Sequence, residues 1–358
     1  MQRAFFNLLF VSLVVSLQAC VAVNSAVVAD TPGLKTLAAF PIGVAVNVAS
    51  AGAGIQVSKE RADLIGRHFN SLVAENSMKM SYLHPAENNF TFAGADALAS
   101  YAHQHGMVLH GHALVWHSDY QIPVWMKNYQ GDWEKMLASH VSQICAHFAG
   151  TVRSWDVVNE AIDDLHPAGY RASIFYEKIG KSYIEKAFIA AHAADANAEL
   201  YYNDYNIEGS QGKLDFMLRM IDDFKSRQIP LHGIGFQMHV SSDGPGIAQI
   251  RKSFKAVADR GLKVRISELD VAMNQQRQFS TFTPAVAAQQ KARYKAIITA
   301  YLEAVPPAQR GGITFWGLLD GDSWIGKRYQ RPDWPLLFAD DYSAKPALSG
   351  VAEALTGK

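Results

Sequence analysis

Ser154-Trp155-Asp156-Val157-Val158-Asn159-Glu160 is the stretch on which the reading of the fold turns. Val157 and Val158 favour the extended chain, and apolar neighbours without strict alternation mark a strand covered on both faces, as in a parallel sheet. The run ends on two polar side chains. Glu160 therefore stands where a buried strand leaves its sheet, and in barrels of alternating strands and helices that is the end at which catalytic groups are carried. Taken alone, Glu160 reads more plainly as a surface residue after a core strand. The residues at the ends of the other strands decide against that.

Outward from this strand, similar runs occur at Ile42 to Val48, Ser71 to Lys79, Met107 to Trp116, Leu200 to Asn206, Gly233 to Val240, Val264 to Leu269 and Ile313 to Leu318, with Val152 to Asn159 the fourth in order. Helical periodicity fills the intervals: Ile184, Ala187, Phe188 and Ala191 follow the i, i+3, i+4, i+7 rule, as do Leu214, Met217, Leu218 and Ile221. Strands alternating with helices in this number predict an α/β fold, a single (β/α)8 TIM barrel. An open doubly wound sheet is the rival, but no Gly-rich dinucleotide turn follows the first strand.

The first residues set the compartment. Arg3 supplies one positive charge and Ala4 to Leu17 is almost entirely apolar, too short for a spanning helix and suited to a signal peptide. Leu17-Gln18-Ala19-Cys20 has the form of a bacterial lipoprotein signal, which places a signal peptide over residues 1–20 and a short tether over 21–36. Val27-Val28-Ala29 before Asp30 is the alternative cleavage site. An exported chain is expected, as an outer-membrane lipoprotein attached through Cys20, or periplasmic or extracellular. Cys145 is the only other cysteine, so the mature chain has no internal disulfide to rely on. Stability must come from a large core, and about 320 residues suffice for one barrel over 37–358. Formal charge is zero with no basic run, which argues against nucleic acid as a partner. No linker or low-complexity segment divides the chain, and a monomer is expected.

On a barrel the polar residues at the strand ends share one rim. Here they are Glu75, Asn76 and Lys79 from the second strand, His110 through His117 from the third, Asn159 and Glu160 from the fourth, and Asn203 through Asn206 from the fifth. Gln237 and His239 come from the sixth, Glu268 and Asp270 from the seventh, and Trp316, Asp320 and Trp324 from the eighth. Indoles beside amides and carboxylates suit a sugar, whose C–H faces stack on aromatic rings while its hydroxyls need donors and acceptors.

Trp155-Asp156-Val157-Val158-Asn159-Glu160-Ala161, His110-Gly111-His112-Ala113-Leu114-Val115-Trp116-His117, Asn203-Asp204-Tyr205-Asn206 and Ser267-Glu268-Leu269-Asp270 resemble, in their order, the motifs of glycoside hydrolase family 10, the retaining endo-β-1,4-xylanases. The likeness runs from about Phe40 to Leu348. It implies Glu160 as general acid/base and Glu268 as nucleophile, His239 bonded to Glu268 with Asp270 behind it, and Asn159 on the 2-hydroxyl of the sugar cleaved. It implies Glu75, Asn76, Lys79, His112, Trp116, Gln237, Trp316 and Trp324 in the glycone subsites and Tyr205 on the leaving-group side. Xylan and xylo-oligosaccharides would be the substrates, with neither cofactor nor metal. Ala113 and Ser267 depart from the family's usual threonines, which touches local packing and fine preference rather than a catalytic group. The insert Asp163-Asp164-Leu165-His166-Pro167 would shape the leaving-group side.

The chemistry asks for the same pair independently: cleaving a glycoside needs a proton for the leaving oxygen and negative charge near an oxocarbenium-like carbon, hence two carboxyl groups in different protonation states. Two rival readings remain at this stage. His110-x-His112 has the spacing of a metal-dependent barrel hydrolase, and a carbohydrate-binding barrel without catalysis would keep the same cleft.

Overall fold

Strand β4 (Val152–Asn159) has the boundaries read from the sequence, and it pairs in parallel with β3 (Val108–Trp116) on one side and β5 (Glu199–Asp204) on the other. The computed structural model describes residues 31–47, 58–165 and 168–358. Its remaining strands are β1 (Ile42–Val46), β2 (Ser71–Ala74), β6 (Gly233–Phe236), β7 (His239–Ser241), β8 (Lys263–Ala272) and β9 (Arg310–Phe315). They run in the order β6-β5-β4-β3-β2-β1-β9-β8, and β8 pairs back onto β6 to close the barrel. β6 and β7 share one position in it. The chain breaks between them at Gln237 and Met238, where Met238 takes a φ of 60°, and β7 then rejoins β8 through His239 opposite Asp270. Eight parallel positions result, as the alternation predicts.

The strands are apolar because both of their faces are covered: all five residues of β1 and all four of β2 are buried. Helices cover the outside, and their starts carry the expected caps. Ser210 accepts from the Lys213 N–H at the head of Gln211–Ser226, and Thr283, followed by Pro284, caps Pro284–Ala304. Trp155 is fully buried under β3. Gly111 makes room for it, since a Cβ there would fall 2.1 Å from the indole ring. Truncating such a ring to Ala costs about 3–5 kcal/mol in a packed core.

Several strand ends differ from the sequence reading. β2 stops at Ala74, and Glu75 to Lys79 form a turn closed by the Lys79 N–H on the Asn76 carbonyl at 2.9 Å, because Asn76 and Ser77 favour turns over strands. β8 runs on to Ala272, so Glu268 and Asp270 project from within a strand. β9 lies earlier than expected, with Trp316 just beyond its end. Within the expected tether, Thr31 and Leu34 are buried and the Thr31 carbonyl accepts from Arg67 Nη2 at 2.9 Å. The expected leader, both cleavage sites, the last strand residue Val48, and His166 and Pro167 of the insert lie outside the described residues.

Candidate active site

The barrel register brings Asn159, Asn203 and Gly235 into line across β4, β5 and β6. Gly235 is required there: a Cβ would lie 2.3 Å from Asn203 Oδ1. In the space it leaves, Asn203 donates through Nδ2 to Asn159 Oδ1 at 2.9 Å and to Glu268 Oε1 at 2.8 Å. Asn159 Nδ2 in turn donates to Glu160 Oε1 at 3.1 Å, and Gln237 Nε2 donates to the same oxygen at 3.0 Å and to Asn159 Oδ1 at 3.2 Å. One chain of carboxamides thus links the two carboxyl groups. Ser267 sets its direction by donating from Oγ to Asn203 Oδ1 at 2.6 Å, which leaves the Asn203 nitrogen for Glu268. The hydroxyl, rather than a methyl beside it, is what this position uses.

The two carboxyl groups differ in setting. Glu268 is buried, and both of its oxygens face donors: Oε1 has Asn203 at 2.8 Å and Oε2 lies 3.2 Å from His239 Nε2. Burial pushes its pKa up, but His112 and His239 outweigh that and hold it below the ordinary value. His239 Nδ1 lies 3.0 Å from Asp270 Oδ2, which also accepts from Trp324 Nε1 at 2.8 Å. Burial opposes charge on the imidazole, yet Asp270 first and Glu268 second raise its pKa well above the usual one. Glu160 takes both of its amide donors on Oε1. Its Oε2 lies 3.7 Å from His117 Nδ1, an imidazole pushed down to about 4 by burial with the Glu160 carboxylate acting against it.

The residues expected on the glycone side gather beside this pair. Lys79 is buried, bonds Asn76 Oδ1 at 3.3 Å and lies over the Trp116 ring at 5.0 Å. Burial lowers its pKa, while Glu268, Glu75 and Glu160 pull the other way. Glu75 leaves β2 with its N–H on the Val46 carbonyl at 2.9 Å, and burial raises its pKa against Lys79. The His112 ring meets Trp316 edge to face at 5.3 Å, and His239 meets Trp324 likewise at 5.2 Å. Two indoles thus stand against His112 and His239, and a third, Trp116, lies under the Lys79 ammonium.

On the opposite side, Tyr205 follows β5. Arg171 Nη2 donates to its hydroxyl at 3.0 Å, and the buried Lys213 ammonium lies 3.8 Å from its ring centroid. Lys213 Nζ sits 2.9 Å from both Asp164 Oδ1 and Asp204 Oδ1. Asp164 of the insert is therefore tied to the Tyr205 side.

Sequence reasoning left Asn203, Ser267, Asp156, Arg171 and Lys213 without a role. Asn203 and Ser267 had the signal of standing inside quoted motifs. Asp156 also did, and its Oδ2 accepts from His112 Nδ1 at 2.9 Å with His110 Nε2 at 3.1 Å. Although burial opposes it, this pairing keeps the Asp156 carboxyl below the usual range. Both histidines of the metal reading are thus turned onto one carboxylate, with His110 Nδ1 also 2.7 Å from Ser154 Oγ. Among the described residues, no group of three or more His, Cys, Asp or Glu side chains is arranged to hold a metal ion.

The model of the family described as Glycosyl hydrolase family 10 matches residues 34–354. Over 353 residues the chain is 44% identical to endo-1,4-beta-xylanase A of Cellvibrio japonicus, covering 92% of this chain and 58% of that protein. It is 48% identical over 341 residues to endo-beta-1,4-xylanase Xyn10C of the same organism, covering 89% and 56%. The chain therefore spans less than three fifths of the length of these curated relatives. Among solved structures, a mutant of Cellvibrio japonicus xylanase 10C in complex with xylopentaose superposes with a TM-score of 0.89 at 45% identity, covering 92% of this chain and 70% of that one.

Proposed function

The chain belongs to glycosyl hydrolase family 10, and we propose on that premise that it is an endo-β-1,4-xylanase, cleaving internal β-1,4-xylosidic bonds of xylan with retention of configuration. The observation that carries this reading is the unequal setting of two carboxyl groups joined by one carboxamide chain. Glu268, with donors on both oxygens and a lowered pKa, is charged and suited to attack carbon. Glu160 accepts two N–H groups on Oε1, so its proton belongs on Oε2. That oxygen is the one free to reach a leaving group.

In the first step a Glu268 oxygen bonds to the anomeric carbon, the glycosidic C–O bond breaks, and the Glu160 proton goes to the departing oxygen. In the second, Glu160 takes a proton from water as the water oxygen bonds to that carbon and frees Glu268. Asn159 would hold the 2-hydroxyl. Glu75, Asn76, Lys79, His112, Trp116, Gln237, Trp316 and Trp324 would line the glycone side and Tyr205 the leaving-group side. The xylopentaose held by the superposed xylanase supports that assignment of substrate class. Proton NMR of the first products from xylan tests the reaction: the β-anomer is expected first, and initial α-anomer would mean direct attack by water.

We further propose that the chain is exported, held to the outer membrane through a lipidated Cys20 or released to the periplasm or exterior, and that it acts as a monomer. The apolar run Ala4 to Leu17 before Cys20 supports the first.

A further inference from the structure

We infer that Arg171 is the positioning residue of the general acid, an inference that rests on the assignment of Glu160 to that role. Glu160 has a φ of 58°, a left-handed backbone conformation that costs a non-glycine residue about 1–3 kcal/mol and persists only where the surroundings impose it. The strand side supplies one constraint, the Glu160 N–H on the Asn203 carbonyl at 2.9 Å. Arg171 supplies the others. Its backbone N–H donates to the Ala161 carbonyl at 2.8 Å, its Nε to the Glu160 carbonyl at 3.0 Å and its Nη2 to the Ile162 carbonyl at 3.1 Å. Three consecutive carbonyls at the turn are thus received by one residue.

The excursion between them is closed accordingly. Ile162 bridges Tyr170, and the Asp163 N–H donates to the Gly169 carbonyl at 2.8 Å, so Arg171 sits at the base of the loop that Glu160 opens. Nη2 also reaches the Tyr205 hydroxyl at 3.0 Å, which ties the turn to the end of β5. The planar guanidinium suits this work because its donors leave in fixed, divergent directions, whereas an ammonium has a single nitrogen to offer. Without it, the carbonyls of Glu160 and Ile162 lose their partner at a half-buried turn, the left-handed residue relaxes, and the carboxyl group shifts. A misplacement of about 1 Å is worth about 10²-fold in rate.

The test separates acid positioning from general stability by leaving group. The sugar that leaves xylopentaose is a poor alkoxide and needs the proton of Glu160; the 2,4-dinitrophenolate of 2,4-dinitrophenyl β-xylobioside departs without one. For R171A, kcat/KM on xylopentaose should fall about 10²-fold while kcat/KM on the aryl substrate stays within severalfold of wild type. R171K should fall less on xylopentaose, and guanidinium ion at low millimolar concentration should restore part of the R171A loss on that substrate alone. Equal losses on both substrates, or no loss on either, would overturn the inference. Should R171A not fold, R171K is judged by the same ratio. Failure of the underlying functional reading looks different: the wild type would then turn over neither substrate.

Discussion

Asn203 donates through Nδ2 to Glu268 Oε1 at 2.8 Å, while its own Oδ1 is held by the Ser267 hydroxyl. A carboxylate so held is stabilised as the anion, and a hydrogen bond to a charged group is worth about 1.5–3 kcal/mol. N203A should therefore lower kcat/KM about 10- to 100-fold and move the acid limb of its pH profile upward. N203D should move that limb further, because it sets a second carboxylate beside the first. An N203D profile that overlays the wild type would show that the amide does not support Glu268.

His239 is held charged by Asp270 and Glu268, with burial acting against them. NMR of labelled wild-type protein should find both ring nitrogens protonated well above the ordinary imidazole value of 6.5. In D270N the titration should drop toward that value, turnover should fall, and the alkaline limb should move to lower pH, since Glu268 loses its cationic neighbour sooner. Stability follows the same signs. The raised pKa of His239 contributes stability that is full below 6.5 and fades as pH rises through its folded value. The lowered pKa of Glu268 contributes stability above 4.5 that fades as pH falls through its folded value. Thermal melting of D270N should thus lose stability on the alkaline side earlier than wild type. A wild-type His239 that titrates near 6.5, or wild-type rates in D270N, would remove Asp270 from the mechanism.

Where the sequence was legible, a local pattern carried the information. β4 could be bounded to the residue because its valines and its terminal Asn-Glu pair are adjacent in the chain, and the alternation of runs announced the eight barrel positions. Strand ends were less legible where side-chain chemistry competes with periodicity, as at Asn76 and Ser77 in the turn after β2. The supports of the site were legible only in part: His239 and Asp270 were expected behind Glu268, while Asn203 and Ser267 stood inside quoted motifs without a role. Asn203 bonds residues 44 and 65 positions away, and the value of Arg171 lies in three carbonyls that no side-chain pattern displays. Such roles arise from closure of the barrel, which brings together residues with no common motif.

Cys20 follows an apolar leader in Leu17-Gln18-Ala19-Cys20. Expressed with its leader in a Gram-negative host, the protein should partition with the membrane fraction, and mass spectrometry should find an acylated N-terminal Cys20. C20S should release it to the soluble fraction. A mature chain starting at Asp30 would sink the lipidation proposal and leave ordinary export.

Glu160 and Glu268 are told apart by the different demands of the two chemical steps. E160A removes the proton donor, so xylan should be cleaved about 10²–10⁴-fold more slowly, the usual worth of general acid–base help. The phenolate of an activated aryl β-xylobioside departs without a proton, so the xylobiosyl group should still be transferred to Glu268, but no base remains to activate water. The covalent intermediate should then accumulate and be visible by mass spectrometry. Azide needs no base, so it should restore turnover of the aryl substrate and yield a β-glycosyl azide, having attacked from the face that the Glu160 carboxylate vacated. For E268A the geometry reverses: azide replaces the nucleophile, displaces the leaving group directly and gives the α-azide. The carboxamide chain makes the contrast sharper, because E160A leaves Asn203 and His239 on Glu268 in place, so the nucleophile keeps its charge. An α-azide from E160A, or equal loss in both variants on aryl and polymeric substrates without rescue, would show that the roles of Glu160 and Glu268 are assigned wrongly.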